Sequence, residues 1–259
     1  MVFKKLKARF GGGTTVQTHL HTPVAQPGGV VHGVVEIVGG ELVQDIRYLA
    51  LAAEARVEVE HGDGESRQDI RFAHQHVAGQ FALHPGQRID VPFAFALPLE
   101  TPFTVIGGSE LRGVRLGLRT ELEIAKSLDK GDWDPIRVEP LPAQRRILDA
   151  VVNIGCRFKS ADLERGRIPG SALDFYQEVE FYPPPEFAHG ISELEVTFLT
   201  FPHGMDVLLE GDRRGGFLEA GGDRIHRLSI SYDAIANEDW ESIMRHHLHE
   251  LGRRRGLFG

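Results

Sequence analysis

The chain has one cysteine, two tryptophans and three methionines, and it has no long apolar run. With Cys156 alone, no intramolecular disulfide can form, and a cysteine-based zinc site is excluded. No stretch approaches the roughly 20 apolar residues of a membrane span. Near the start, Lys4, Lys5, Lys7 and Arg9 interrupt Phe3, Leu6 and Phe10, so no signal-peptide core forms there. A cytoplasmic protein is the expectation. Basic excess is missing too. The formal net charge is -8, which argues against nonspecific nucleic-acid binding, because that needs cations to displace condensed counterions. Catalytic signatures are also lacking. There is no Gly-x-Ser-x-Gly element, and the glycine turns at 11–13 and 107–109 have neither the lysine nor the following helix of a phosphate loop.

What the chain does have is alternation. Ile89, Val91, Phe93, Phe95 and Leu97 take every second position, with Asp90, Pro92, Ala94 and Ala96 between them. Period two is the mark of a strand with one buried face. Other runs of the same kind start at Val16, Val31, Leu49, Ile70 and Val114. In the Leu49 run Arg56, Glu58 and Glu60 read as the wet face. Further runs start at Phe175, Leu194, Met205 and Leu228. Gly, Pro and Asp turns separate them, and no helical crossover fits before residue 125, so antiparallel sheets are favoured over parallel ones. The expected fold is all-β: two tandem antiparallel β-sandwich domains, with a short inter-domain helix and a C-terminal helix.

At 259 residues there is chain enough for two cores. The first sandwich is expected over 1–125. Three prolines and three aspartates in 126–142 read as a linker. The second sandwich is expected over 143–235, opening with a helix that carries Ile147, Leu148, Val151 and Ile154, with Pro142 before it and Gly155 at its C-terminus. Residues 236–259 read as a helix capped by Asn237, followed by a basic tail. Trp240, Ile243, Met244 and His247 share one face of it and are its expected anchors.

Two groupings have metal-like spacing. His246, His249 and Glu250 lie three and four residues apart on the C-terminal helix. Against that stands a solvated helix face with His247 turned inward, and the spacing is not that of the zinc proteases. Asp129, Asp132 and Asp134 resemble a calcium-binding turn by their spacing, but no glutamate occupies the bidentate position, and a solvated acidic linker is the competing account. His19 with His21 and His74 with His76 read as exposed strand faces, and Cys156 as a small core hydrophobe. The basic ends, Lys4 to Arg9 and Arg253, Arg254 and Arg255, suit an anionic membrane surface, with loose, solubilising termini as the competing and favoured account.

Several segments together resemble one family. They are Val38 to Tyr48, Leu128 to Pro135, the helix around Leu148, Phe175 to Phe181, Glu193 to Phe198 and Leu209 to Arg214. In this order, over nearly the whole chain, they are similar to the bacterial sporulation-control (SpoOM) family, which is itself similar to arrestins. The resemblance implies two linked sandwiches and a non-enzymatic regulator that binds other proteins. It implies no cofactor and no catalytic residue. Arrestins join their domains partly through buried charges near the hinge, so Asp212, Arg213 and Arg214 become candidates for inter-domain polar contacts, with an exposed charged turn as the alternative. Two rival functions are a metal-dependent hydrolase using the C-terminal histidines and a membrane-surface adaptor using the basic ends.

Overall fold

The computed structural model describes residues 13–61, 64–125, 128–212 and 225–253. These residues are mostly β, with two short helices among them. In chain order the first strands are β1 (Thr15–Leu20), β2 (Val30–Val38), β3 (Gln44–His61), β4 (Gly64–Ala78), β5 (Phe81–Leu83) and β6 (Arg88–Ala96). Then come β7 (Val105–Ile106), β8 (Ser109–Glu110), β9 (Arg115–Ile124) and β10 (Lys130–Pro135). After helix α1 (Pro142–Asn153) follow β11 (Arg157–Arg165), β12 (Phe175–Tyr182), β13 (Glu193–Phe201), β14 (Gly204–Asp212) and β15 (Ile225–Ser231). Helix α2 (Trp240–Gly252) ends the described chain.

The chain divides into two compact units that interleave in sequence. The first comprises Met1–Ala55, Asp69–Pro98 and Arg115–Arg137. It contains the antiparallel sheet β1-β2-β6 and the pairings of β3 with β5 and of β9 with β10. The alternation has the expected effect here: Val31, Val35 and Ile37 on β2, Phe93 and Phe95 on β6, and Leu116, Leu118 and Leu122 on β9 are buried. β3 departs from it. Ala50, Ala52 and Glu54 are as buried as Leu49, Leu51 and Ala53, so both faces of the strand are covered there. Small alanines permit that close packing, and the Glu54 carboxylate is matched by Arg71 Nε at 3.3 Å. The face read as wet becomes accessible only from Arg56 onward.

The 126–142 span is not a plain linker. Lys130–Pro135 is a strand, pairing antiparallel with β9 so that Trp133 stands opposite Arg119 and Asp134 opposite Leu118. What alternation misses, the tryptophan supplies. The Trp133 ring lies over Gly117, where any Cβ would come within 2.4 Å of it, and the Arg115 guanidinium sits 4.0 Å from the ring centroid.

Three strands of this unit, β1, β6 and β4, carry features that blunt further pairing. The Thr18 N–H of β1 donates to the Asp132 carboxylate at 3.0 Å. β6 has Pro92, which cannot donate, and its Ala94 carbonyl already accepts from Gln75 Nε2 at 3.1 Å. β4 is kinked at Ala73, whose φ of 53° is a left-handed value rare for a residue with a Cβ. Charged caps, prolines and bulges of this kind keep sheet edges from recruiting other strands.

The second unit comprises Arg56–Gln68, Leu99–Val114 and Val138–Gly259. Its sheet runs β11-β12-β13-β14-β15, antiparallel throughout, and Glu58 of β3 adds one parallel pairing to Glu164. Successive residues across it form a row: Ala161, Val179, Val196, Leu209 and, last, His226. The first four are buried. α1 and α2 pack on one another, and α2 lies against β14 and β15.

Both helices have readable ends. Pro142 occupies the first turn of α1, and the Leu141 N–H donates to Gln144 Oε1 at 2.8 Å. Beyond its C-terminus Gly155 takes φ 99°, a value open to glycine. In α2 the cap is Asp239, whose carboxylate accepts from the Ser242 N–H at 3.1 Å. Asn237 lies in the preceding turn instead, its amide donating to the Asp233 carbonyl at 3.2 Å. A side-chain oxygen three residues before the N–H it serves fits the geometry, and Asn237 is two residues too early.

Candidate functional site

The metal-like grouping on α2 does not converge. The His249 ring packs edge-on against Phe187 with centroids 4.8 Å apart. Glu250 pairs with Arg253 at 2.9 Å, while the exposed His246 ring lies 5.6 Å from His247. Asp129, Asp132 and Asp134 are equally dispersed. The Asp129 carboxylate accepts from the Ile124 N–H at 3.2 Å, Asp132 serves Thr18 and the Trp133 N–H, and Asp134 sits further along β10. Among the described residues no three His, Cys, Asp or Glu side chains are grouped to hold a metal ion. His19, His21, His74 and His76 are exposed. Cys156 is buried, and that burial pushes its thiol up to about 12, far from a reactive thiolate.

Four positions of α2 face the interior: Trp240, Met244, Leu248 and Leu251 are buried, whereas Ile243 and His247 are half-buried. The buried stripe runs at intervals of four, four and three. Trp240 Nε1 donates to the Ile235 carbonyl at 2.7 Å, which ties the helix start to the turn before it. Arg146 on α1 reaches Glu241 at 3.2 Å. Asp212 is the last residue of β14, opposite Glu193; Arg213 and Arg214 lie outside the described residues, as do Lys4, Lys5, Lys7, Arg9, Arg254 and Arg255.

A small cleft in this unit is braced rather than open. Gln177 accepts from the Phe103 N–H at 3.0 Å and donates to its carbonyl at 2.8 Å. Glu100 accepts from the Ser171 hydroxyl at 2.6 Å and the Ala172 N–H at 2.8 Å. These polar atoms are committed to holding the 99–104 segment.

The unforeseen feature is the sheet's other face. Behind the apolar row runs an acidic one: Ser160, Glu180, Glu195 and Glu210 stand in register across β11 to β14, with Asp162 and Glu178 paired beside them. Burial, then the negative charges of Glu195 and Asp162, pushes the Glu178 carboxyl up to about 9. Burial and then the Glu180 charge push Asp162 up as well. Burial acts on Glu180 too, but hydrogen bonds from Ser160 and Lys159 hold it below the usual carboxylate range. Lys159 is 3.0 Å from Glu180 and 2.7 Å from Glu193. The signal was in the sequence: acids at 162 and 164, 178 and 180, and 193 and 195 keep period two on one face. Burial, which alternation alone does not show, pushes the carboxyls of two of them, Asp162 and Glu178, upward.

The SpoOM protein family model matches residues 3–215. The sporulation-control protein spo0M of Bacillus subtilis (strain 168) is 35% identical over 250 residues, covering 93% of this chain and 94% of that protein. The crystal structure of Spo0M from Bacillus subtilis superposes with a TM-score of 0.83 at 33% identity, covering 93% of this chain and 100% of that one. With sequence and fold matched over nearly their whole lengths, the chain belongs to the SpoOM protein family.

Proposed function

We propose that this protein is a non-enzymatic, arrestin-like regulator that acts in the cytoplasm by binding other proteins. The observation that carries the reading is the contrast between its sheet edges. β1, β6 and β4 are each blunted, by Asp132, by Pro92 with Gln75, and by the Ala73 kink. β15 has no proline and, among the described residues, pairs only with β14. An extended segment of a partner can add to such an edge, drawing affinity from backbone hydrogen bonds. The sporulation-control name of its relative supports a regulatory role. The divergent partners of His246, His249 and Glu250 speak against the hydrolase reading.

A photo-crosslinking residue placed at Ile225, which is 50% exposed at the start of β15, should trap a discrete protein partner in host cells. The same probe at Val91 on β6 should not. Equal trapping at both positions, or a partner caught only at β6, would reject the edge assignment.

A further inference from the structure

α2 rests on the sheet through apolar side chains and a polar contact between two histidines. His247 Nδ1 lies 2.9 Å from Nδ1 of His226, with the rings at 73° and their centroids 5.1 Å apart. His226 is the polar end of an otherwise apolar row and stands opposite Leu209 on β14. Two Nδ1 atoms bond only when one carries a hydrogen and the other does not. The bond survives a first added proton, because a cationic ring donates to a neutral one. It cannot survive a second, which puts hydrogens on both atoms and like charges side by side.

We propose that this histidine pair is a proton-operated latch: the C-terminal half of α2 stays docked on β15 while at least one ring is neutral, and is released when both are cations. Among the described residues, the surrounding charges are paired elsewhere and do not offset the second proton. On α2 itself His247 faces His246 and Glu250, and Glu250 is engaged by Arg253 at 2.9 Å. α1 presents Arg146 and Asn153, both to Glu241. The 183–192 segment presents Glu186 to Arg245 and Phe187 to His249. On the sheet, Arg227 is held by Asp206 at 2.6 Å, and Glu210 lies in the acidic row of the opposite face.

The sign follows from the imidazole. Burial, then the charges of His226 and His246, holds His247 below the usual histidine range, against an opposing pull from Glu250. A base whose folded pKa is depressed contributes its full stabilisation above the unfolded value, about 6.5, and loses it as the pH falls through the folded one. Release would uncover Leu248 and Leu251, now buried, and the Ile191 and Gly211 surface beside Leu251. The latch is independent of which partner occupies the β15 edge.

Hydrogen exchange of α2 amides, corrected for intrinsic exchange rates and run with EDTA, tests this at pH 7.5 and 5.5. In the unaltered protein the protection factors over 243–251 should drop about tenfold or more at the lower pH, while β2 and β6 hold theirs. The double variant H226Q/H247Q should show equal protection at both. Unchanged protection in the unaltered chain, or a drop that persists in the double variant, overturns the latch. Imidazole nitrogen spectra of the unaltered protein give a readout that needs no variant. The His247 ring should titrate below the ordinary histidine range, and an ordinary titration of His247 would reject the proposal.

Discussion

Glu178→Gln is expected to stabilise the protein at pH 8 and to do nothing near pH 4. In the unfolded chain a glutamate ionises near pH 4.3, whereas the folded protein keeps a proton on Glu178 up to about 9. Between those values the folded state binds more protons than the unfolded one, so stability falls as the pH rises, by at most about 1.4 kcal/mol per pH unit. Glutamine supplies the neutral form permanently. Over that span the limit is about 5 kcal/mol at pH 8. Glu178 is only half-buried and solvent screens its charge, so a gain of about 2 kcal/mol, seen as a melting temperature higher by roughly 4–8 °C, is the expected size. An equal gain at both pH values would assign the effect to packing instead of ionisation. No gain at pH 8 would mean that Glu178 is ionised in the fold.

The second large effect is at Trp240. The side chain is buried and its Nε1 is the donor to the Ile235 carbonyl. Trp240→Ala should cost about 3–5 kcal/mol, the usual range for removing a packed tryptophan. Trp240→Phe keeps most of the apolar burial and removes the hydrogen bond, so it should cost nearer 1 kcal/mol. Thermal melts of the two variants separate the contributions. If the alanine variant melts with the unaltered protein, α2 contributes nothing to stability, and its buried stripe has another purpose.

Proton effects in the second unit therefore run in opposite directions. Acidification from pH 8 to 5.5 makes it easier to supply the protons that Glu178 and Asp162 take up on folding, and so raises overall stability, yet it loosens α2 through His226 and His247. A global melt and a local exchange measurement on the same samples should move in opposite senses. No single titrating site predicts that.

The legible part of this fold is the part with one wet face. The Ile89–Leu97 run announces β6, because Asp90, Ala94 and their neighbours alternate with side chains that are buried. β10 gives no such signal: Lys130, Gly131, Asp132 and Asp134 are polar or small, and the strand is held by Trp133 over Gly117 and by the Asp132 carboxylate on β1. Spacing alone prefers His247 to Leu248 because a stripe through 240, 243, 244 and 247 and one through 240, 244, 248 and 251 are separated by a modest rotation of the helix, and only the packing partner chooses between them. The His226–His247 contact is not legible at all. It joins residues 21 positions apart whose meeting depends on where α2 lands.

The interleaving of the two units bears on how such a protein can be rebuilt by recombination. The chain passes from one unit to the other after Ala55, Gln68, Pro98, Val114 and Arg137. A gene cut anywhere in 126–142 yields an upstream fragment that carries off Arg56–Gln68 and Leu99–Val114, both of which belong to the downstream unit. The Gln177 brace on Phe103 and the Glu58–Glu164 pairing would lose one side, and a cut before Val138 would also part its N–H from the Thr104 hydroxyl that accepts from it at 3.0 Å. A single crossover anywhere in 126–142 would therefore draw the second unit from two parents, so that unit cannot be exchanged whole between relatives by that route.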